Sequence, residues 1–278
     1  MAELQSYHGY YLWKYVPSLA ASIIFLILFL ATTIYHSWKI WRTQTRFCIT
    51  FAIGGLFEVI GFAGRAATHT NTGDIIPYSI QSVFILLGPI LFAATVYMTL
   101  GRLIRRVHAE QHSPIRVNWL TRVFVSDDVL SFLLQGTGAG IMAVGSMVSL
   151  GQAVAMVGLV VQLVIFTLFI IIAVLFHFRL HKWPTRQAFD VAISWKKHLY
   201  ILYAACALII VRSIFRVVEY GLGRNGYPLT HEWTLYIFDA LLMFVVMVLY
   251  CVFFPSELQV HRPKSDESGM ALGGAVGG

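Results

Sequence analysis

Between Val129 and Phe178 the chain runs for fifty residues without an Asp, Glu, Lys or Arg. A water-soluble domain has charge distributed along its surface, and this segment offers none. One helix crosses the hydrocarbon core of a bilayer with about 20 mostly apolar residues, so the segment is too long for one crossing and long enough for two. A tight break at Ser149-Leu150-Gly151-Gln152 divides it into expected spans over 126–149 and 152–178. Five more apolar runs, 16–36, 47–67, 77–100, 199–222 and 233–254, complete the pattern, and Pro255 stops the last. The pattern predicts an all-α membrane protein, a seven-transmembrane helix bundle. Composition agrees, with 58% hydrophobic residues, 12% charged residues and a mean hydropathy of +0.73. The three cysteines, Cys48, Cys206 and Cys251, all fall in apolar runs and read as buried small hydrophobes, which excludes a disulfide-built domain.

The cations orient the bundle. Fifteen of the 20 Lys and Arg residues fall in the first, third and fifth connections and in the tail, while the opposite side has only Lys14 and Arg224. By the positive-inside rule the N-terminus is outside and the C-terminus cytoplasmic. Residues 1–15 are then extracytoplasmic, with Tyr7, Tyr10, Tyr11, Trp13 and Tyr15 as an interfacial aromatic belt. They carry no basic stretch, short apolar core and cleavage site of a secretory signal. Residues 255–278 form a short cytoplasmic tail whose Gly/Ala-rich end is expected to be disordered. The net charge of +7 therefore points to an anionic inner leaflet as partner rather than to nucleic acid.

Six charges lie inside the spans, where each costs several kcal/mol unless paired or hydrated. Glu58 and Arg65 are seven residues apart on the second span, close to one face. Arg212, Arg216 and Glu219 share a face of the sixth through i, i+4 and i+7 spacing, and Asp239 lies about two turns into the seventh. Gln81 on the third span has a similar depth. Together they suit one nearly neutral network. It either locks helices together or lines a cavity for a polar lipid headgroup, and spacing alone supports both. A cationic amine would need an unneutralised carboxylate, for which Glu58 or Asp239 is the better candidate.

Other polar positions carry less information. Asp127 and Asp128 are expected to open the fourth helix, where acids meet the N-terminal dipole favourably. Gln135 and Gln162, with Asp127, are secondary binding candidates that helix–helix hydrogen bonds would also satisfy. Gly54, Gly55, Gly61 and Gly64, and the run Gly136 to Gly140, permit close backbone approach. Pro89 should kink the third helix and free a carbonyl.

Signatures of enzymes are missing from the sequence. It contains no G-x-x-x-x-G-K-[ST] phosphate loop and no G-x-S-x-G nucleophile elbow. His177 and His181 have the i, i+4 spacing of two zinc ligands, but they sit beside Arg179 and Lys182 at the basic end of the fifth span. No catalytic residue, metal site or cofactor is predicted.

The motifs, in order, resemble the fungal RTA-type family of lipid-translocating exporters. Glu58-Val-Ile-Gly-Phe-Ala-Gly-Arg65 is close to the family's E-x-x-G-[YF]-x-x-R. Tyr78-Ser-Ile-Gln81, Gly88-Pro89, Ala93 to Tyr97 and Gly101-Arg102 follow on the third span. Phe124 to Asp127, Leu134-Gln135-Gly136 and Gly158 to Gln162 match on the fourth and fifth. The most specific element is Arg212-Ser-Ile-Phe-Arg216-Val-Val-Glu219, followed by Glu232 and Tyr236-Ile-Phe-Asp239. The resemblance covers about Tyr10 to Pro255 and implies a fungal protein, commonly of the plasma membrane. Members are tied to export of sphingoid long-chain bases, to resistance against sterol-like or azole compounds, or to porphyrin uptake. The expected function is translocation or export of an amphipathic lipid ligand. A seven-helix lipid receptor or stress-signalling protein is the first alternative, and an intramembrane lipid hydrolase the second.

Overall fold

A computed structural model of the chain describes residues 6–7, 10–11, 15, 17–69, 72–142, 147–185, 195–223, 226–255 and 258. Most of the N-terminal segment and nearly all of the tail, where an aromatic belt and a disordered end are expected, lie outside the described residues. Apart from a two-residue antiparallel pairing of β1 (Ser6–Tyr7) with β2 (Tyr10–Tyr11), the described chain is helical. It forms α1 (Leu19–Thr43), α2 (Ile49–Ala67), α3 (Ile75–Arg106), α4 (Val117–Met142), α5 (Val148–Lys182) and α6 (Trp195–Gly221). A short α7 (Tyr227–Thr230) precedes a last leg built from α8 (Glu232–Leu235), a π-helical turn (Tyr236–Leu241) and α9 (Leu242–Val252).

Six of these legs are long and apolar enough to cross a membrane. The seventh, α4, has 26 residues but carries Arg122, Asp127 and Asp128 in its first half. The protein is an all-α integral membrane protein. The helix faces show how it meets lipid. On α5 the residues Val157, Val160, Val164, Leu168, Ile171 and Leu175 recur at three- and four-residue steps and are each 41–58% exposed. In water such a stripe would drive aggregation, whereas against lipid it is ordinary surface. On its buried side α5 presents Gly158, Phe166, Phe169, Ala173 and Phe176.

Successive legs pack as antiparallel neighbours, α9 closes the ring against α1 and α6, and α3 also meets α6 across the middle. The core is strongly aromatic. Phe29 stacks on Phe62 at 5.4 Å and Tyr97 meets Phe169 edge-on at 4.6 Å between ring centroids.

Several helices run past the apolar stretches that mark them in the sequence. The first ends at Thr43 rather than 36, the third at Arg106 rather than 100, and the fifth at Lys182 rather than 178. In each the added residues include basic side chains near the C-terminus, where the helix dipole favours them and the backbone ladder has no reason to stop. The fourth helix needs a larger correction. It starts at Val117, so Asp127 and Asp128 lie three turns inside it and cap nothing. The break expected at Ser149 to Gln152 is also displaced, since those residues belong to the first turns of α5. The cause is the α4–α5 crossing. A Cβ on Gly138 would stand 2.6 Å from the Gly151 carbonyl oxygen and 2.6 Å from the Ala155 nitrogen, so the two backbones touch there. With the two backbones in contact at Gly138 and Gly151, α5 is already under way at Val148.

This crossing makes a testable contrast. Gly138→Ala drives a methyl group into backbone that cannot yield, and overpacking of this kind costs about 1–3 kcal/mol. A Cβ on Gly136 or Gly140 meets nothing within 4 Å, so alanine at either position is expected to be neutral or stabilising through helix propensity. Thermal midpoints of the detergent-solubilised variants, read by size-exclusion chromatography after heating, check the difference.

Candidate functional site

The interior charges fall into two tiers rather than one network. Arg65, fully buried near the C-terminal end of α2, anchors the first. Its Nη2 donates to Glu232 Oε1 at 2.7 Å and to the Tyr15 hydroxyl at 3.1 Å, and its Nε donates to the Tyr236 hydroxyl at 3.0 Å. The Glu232 carboxylate also accepts the backbone N–H of Ser18 through both oxygens, at 2.9 and 3.0 Å. Ser18 is the N-cap of α1, so a carboxylate from the last leg satisfies backbone at the head of the first helix. Ser22 Oγ lies 3.0 Å from the Tyr236 hydroxyl and completes the tier.

The second tier lies about 10 Å deeper, by the seven-residue step from Arg65 back to Glu58 and ~1.5 Å per residue. Asp239 holds its centre. One of its oxygens accepts from Arg212 Nε, and the other from Arg216 Nη2 at 2.5 Å. Arg216 Nη1 also donates to Glu219 Oε2 at 2.8 Å. Two local devices set this arrangement. Arg212 and Arg216 are one turn apart on α6 and present both guanidinium groups to one carboxylate. Asp239 sits in the wide π turn of the last leg, a departure from α geometry that often accompanies functional positions.

Arg212 does a second job. Its Nη2 donates to the Ile85 carbonyl at 3.3 Å. Ile85 stands four residues before Pro89, whose ring nitrogen has no hydrogen to return to it. The freed carbonyl expected from Pro89 is thus taken up by a charged group of α6.

Glu58 lies beside this tier without being tied into it. It is 1% exposed, feels the charges of Asp239, Arg212 and Arg216, and forms no ion pair among the described residues. Its Oε1 has no hydrogen-bond partner among the described residues. Close approach of α2 and α3 brings it there. A Cβ on Gly88 would meet Glu58 Oε1 at 2.6 Å, so only glycine admits this carboxylate against the α3 backbone. Gln81 Oε1, also buried on α3, has no partner either. Counting Asp239, Glu219 and Glu58 against Arg212 and Arg216, the deeper tier holds one carboxyl group more than it holds cations. Beside α2, the seam with α1 opens toward the bilayer as a groove of about 500 Å³, lined by Thr33, Ile40, Trp41, Ile53 and Leu56 and ending at Gln44 and Arg46.

The secondary candidates stand apart from both tiers. Gln135 Nε2 donates to Gln162 Oε1 at 3.2 Å, and Gln162 Nε2 donates to Asp128 Oδ1 at 3.2 Å, while Asp127 is half-buried. His177 contacts the Tyr203 hydroxyl at 3.2 Å. Sequence reasoning left Glu232 and Tyr236 out of the site because Glu232 precedes the apolar run by one residue. Their signal was present, since 232, 236 and 239 follow the same i, i+4, i+7 spacing as the α6 charges.

The family described as "RTA1 like protein" matches residues 51–261. Protein RTA1 of Saccharomyces cerevisiae is 35% identical, over 89% of this chain and 86% of the yeast protein. Protoporphyrin uptake protein 1 of the same species is 33% identical, over 88% of this chain and 92% of its own. The sphingoid long-chain base transporter RSB1 of yeast is 24% identical, over 86% and 72% respectively. No solved structure matches the chain.

The two tiers predict opposite responses to neutral isosteres. Asp239→Asn leaves the buried Arg212 guanidinium without a carboxylate and Arg216 with Glu219 alone, a loss of about 3–5 kcal/mol, and should sharply lower the thermal midpoint in detergent. Glu58→Gln breaks no ion pair and should leave the midpoint near that of the wild type. Equal losses in both variants would contradict the separation of Glu58 from the clamp.

Proposed function

The chain belongs to the RTA1-like family, and on that premise we propose that it is a membrane transporter of amphipathic lipids, with a sphingoid long-chain base as its substrate. The observation that carries this reading is Glu58, a buried carboxyl group with an unpartnered oxygen at the edge of an otherwise ion-paired tier. A sphingoid base brings one ammonium group and vicinal polar groups on a long alkyl chain. Its ammonium supplies the charge that the deeper tier lacks, and Gln81 Oε1 offers a second acceptor for its N–H or O–H donors. Arg212, Arg216, Glu219 and Asp239 hold the surrounding field fixed, so that only Glu58 is left to meet a new cation. Arg65 and Glu232 hold the end of the bundle above it.

The names of two relatives support the substrate class. One is named a sphingoid long-chain base transporter and another a protoporphyrin uptake protein, so both are named for moving amphipathic molecules. The same names support transport rather than catalysis. In the orientation given by the cations, the basic connections face the anionic inner leaflet, with the protein in the plasma membrane.

The test is efflux of a labelled long-chain base from cells carrying Glu58→Gln at wild-type surface levels. Loss of a charge-assisted hydrogen bond of about 1.5–3 kcal/mol should reduce efflux about tenfold or more. Wild-type efflux in the variant would remove Glu58 from the mechanism. Liposomes holding only the purified protein separate transport from reception, since a receptor binds the base without moving it.

A further inference from the structure

Away from both charge tiers, α4 carries a buried carboxyl group that the proposed lipid site does not use. Asp128 lies eleven residues into the 26-residue helix, ~16 Å from its first residue at ~1.5 Å per residue, and is 2% exposed. Ser131 and Gln135 follow on the same face, at 0% and 5% exposure. Gln162 from α5 donates to Asp128 Oδ1, and the Tyr97 hydroxyl of α3 lies beside the carboxylate. Two oxygens of this cluster, Asp128 Oδ2 and Ser131 Oγ, have no partner although both are buried.

The cluster is rich in oxygen and lacks positive charge. The titratable groups bearing on Asp128 are Asp127 on its own helix and Tyr97 on α3, with Cys206 of α6 behind Tyr97. From α5 it meets the neutral amide of Gln162. Among the described residues no Lys or Arg forms an ion pair with it, and Arg122, the cation nearest in sequence on α4, is exposed. An isolated carboxylate in hydrocarbon is far more costly than any amide or phenol hydrogen bond can repay. Something other than the described side chains must carry the balancing charge.

We propose that Asp128, Ser131 and Gln162, with Tyr97, form a site for one small monovalent cation, held as a proton on Asp128 or as Na⁺ among these oxygens. A proton on Asp128 Oδ2 cancels the carboxylate charge and turns that oxygen into a donor. A Na⁺ ion takes the same two oxygens as ligands with the Tyr97 hydroxyl beside them, while the Gln162 amide, whose Oε1 accepts from Gln135, stays a donor to Oδ1. Either way the site is a binding position for an ion, separate from the lipid site and joined to it through α3, which carries Tyr97 at one place and Gln81 and Gly88 at another.

Two measurements on the purified protein in nanodiscs test this. Both are of the protein alone, so they succeed or fail independently of the transport reading. The first compares thermal midpoints in NaCl and in choline chloride. The second records infrared difference spectra of the carboxyl region between acid and alkaline buffers. A midpoint raised by Na⁺ in the wild type and insensitive to it in Asp128→Asn identifies Na⁺. A protonated-carboxyl band that changes with pH and is missing in Asp128→Asn, without a Na⁺ effect, identifies the proton. Identical responses of the wild type and the variant to both treatments overturn the site. If Asp128→Asn does not fold, Ser131→Ala carries the test. It keeps the carboxyl group and removes one buried oxygen of the cluster, and should weaken Na⁺ binding or shift the titration midpoint about tenfold in ion concentration, one pK unit. An unchanged response in Ser131→Ala likewise overturns it.

Discussion

Asp239 is the point on which the interior of this bundle is assembled. In hydrocarbon no water is at hand to solvate a guanidinium group, so Arg212 and Arg216 require a carboxylate, and Asp239 serves both. Because the arginines stand on α6 and the carboxylate on the last leg, the pairing joins two helices directly. It joins a third through Arg212, which also takes the α3 carbonyl that Pro89 leaves open. The proline in α3 and the charges of α6 therefore solve each other's problem. A proline that would otherwise leave a buried acceptor bare becomes a socket for a group that would otherwise lack a partner. Glu58 comes near this assembly by backbone proximity at Gly88 and, among the described residues, takes no part in its pairing.

The first helix is held differently. Much of α1 faces lipid, where apolar contact does not discriminate between protein and bilayer. Its attachment relies on polar contacts at its two ends. Near its start Glu232 grips the Ser18 backbone, and near its finish Lys39 Nζ donates to the Cys251 carbonyl at 3.0 Å. Between them Phe25 and Phe29 insert into an aromatic stack with Phe62 and Tyr236. The groove on its other side is the seam that these contacts leave unsealed.

Hydropathy made the legs of the bundle legible, and helical spacing identified Arg212, Arg216 and Glu219 as one face before any coordinates. What failed to show in the sequence has physical reasons. The start of α4 was hidden because Asp127-Asp128 looks like a first turn, and only the packing of α4 against α5 shows the helix already running ten residues earlier. The division of the charges into tiers depends on partners chosen between helices, which no spacing within one helix encodes. Glu58 and Asp239 were equivalent candidates for an amine, and the geometry separates them by giving Asp239 two guanidinium partners and Glu58 none. The π turn at Tyr236 to Leu241 contains neither Pro nor Gly to announce it.

The length of α5 has a consequence for the membrane itself. Its 35 residues span ~52 Å at ~1.5 Å per residue, against a hydrocarbon core of about 30 Å. Its uncharged stretch alone, Val148 to Phe178, exceeds that thickness. Such a mismatch is relieved by tilt and by thickening of the surrounding lipid, each at a modest cost per ångström. A thin bilayer must deform more around this helix than a sterol-rich one a few ångströms thicker. The same uncharged run that signals membrane insertion in the sequence therefore also acts as a gauge of bilayer thickness, giving the protein a physical preference among the membranes of a cell.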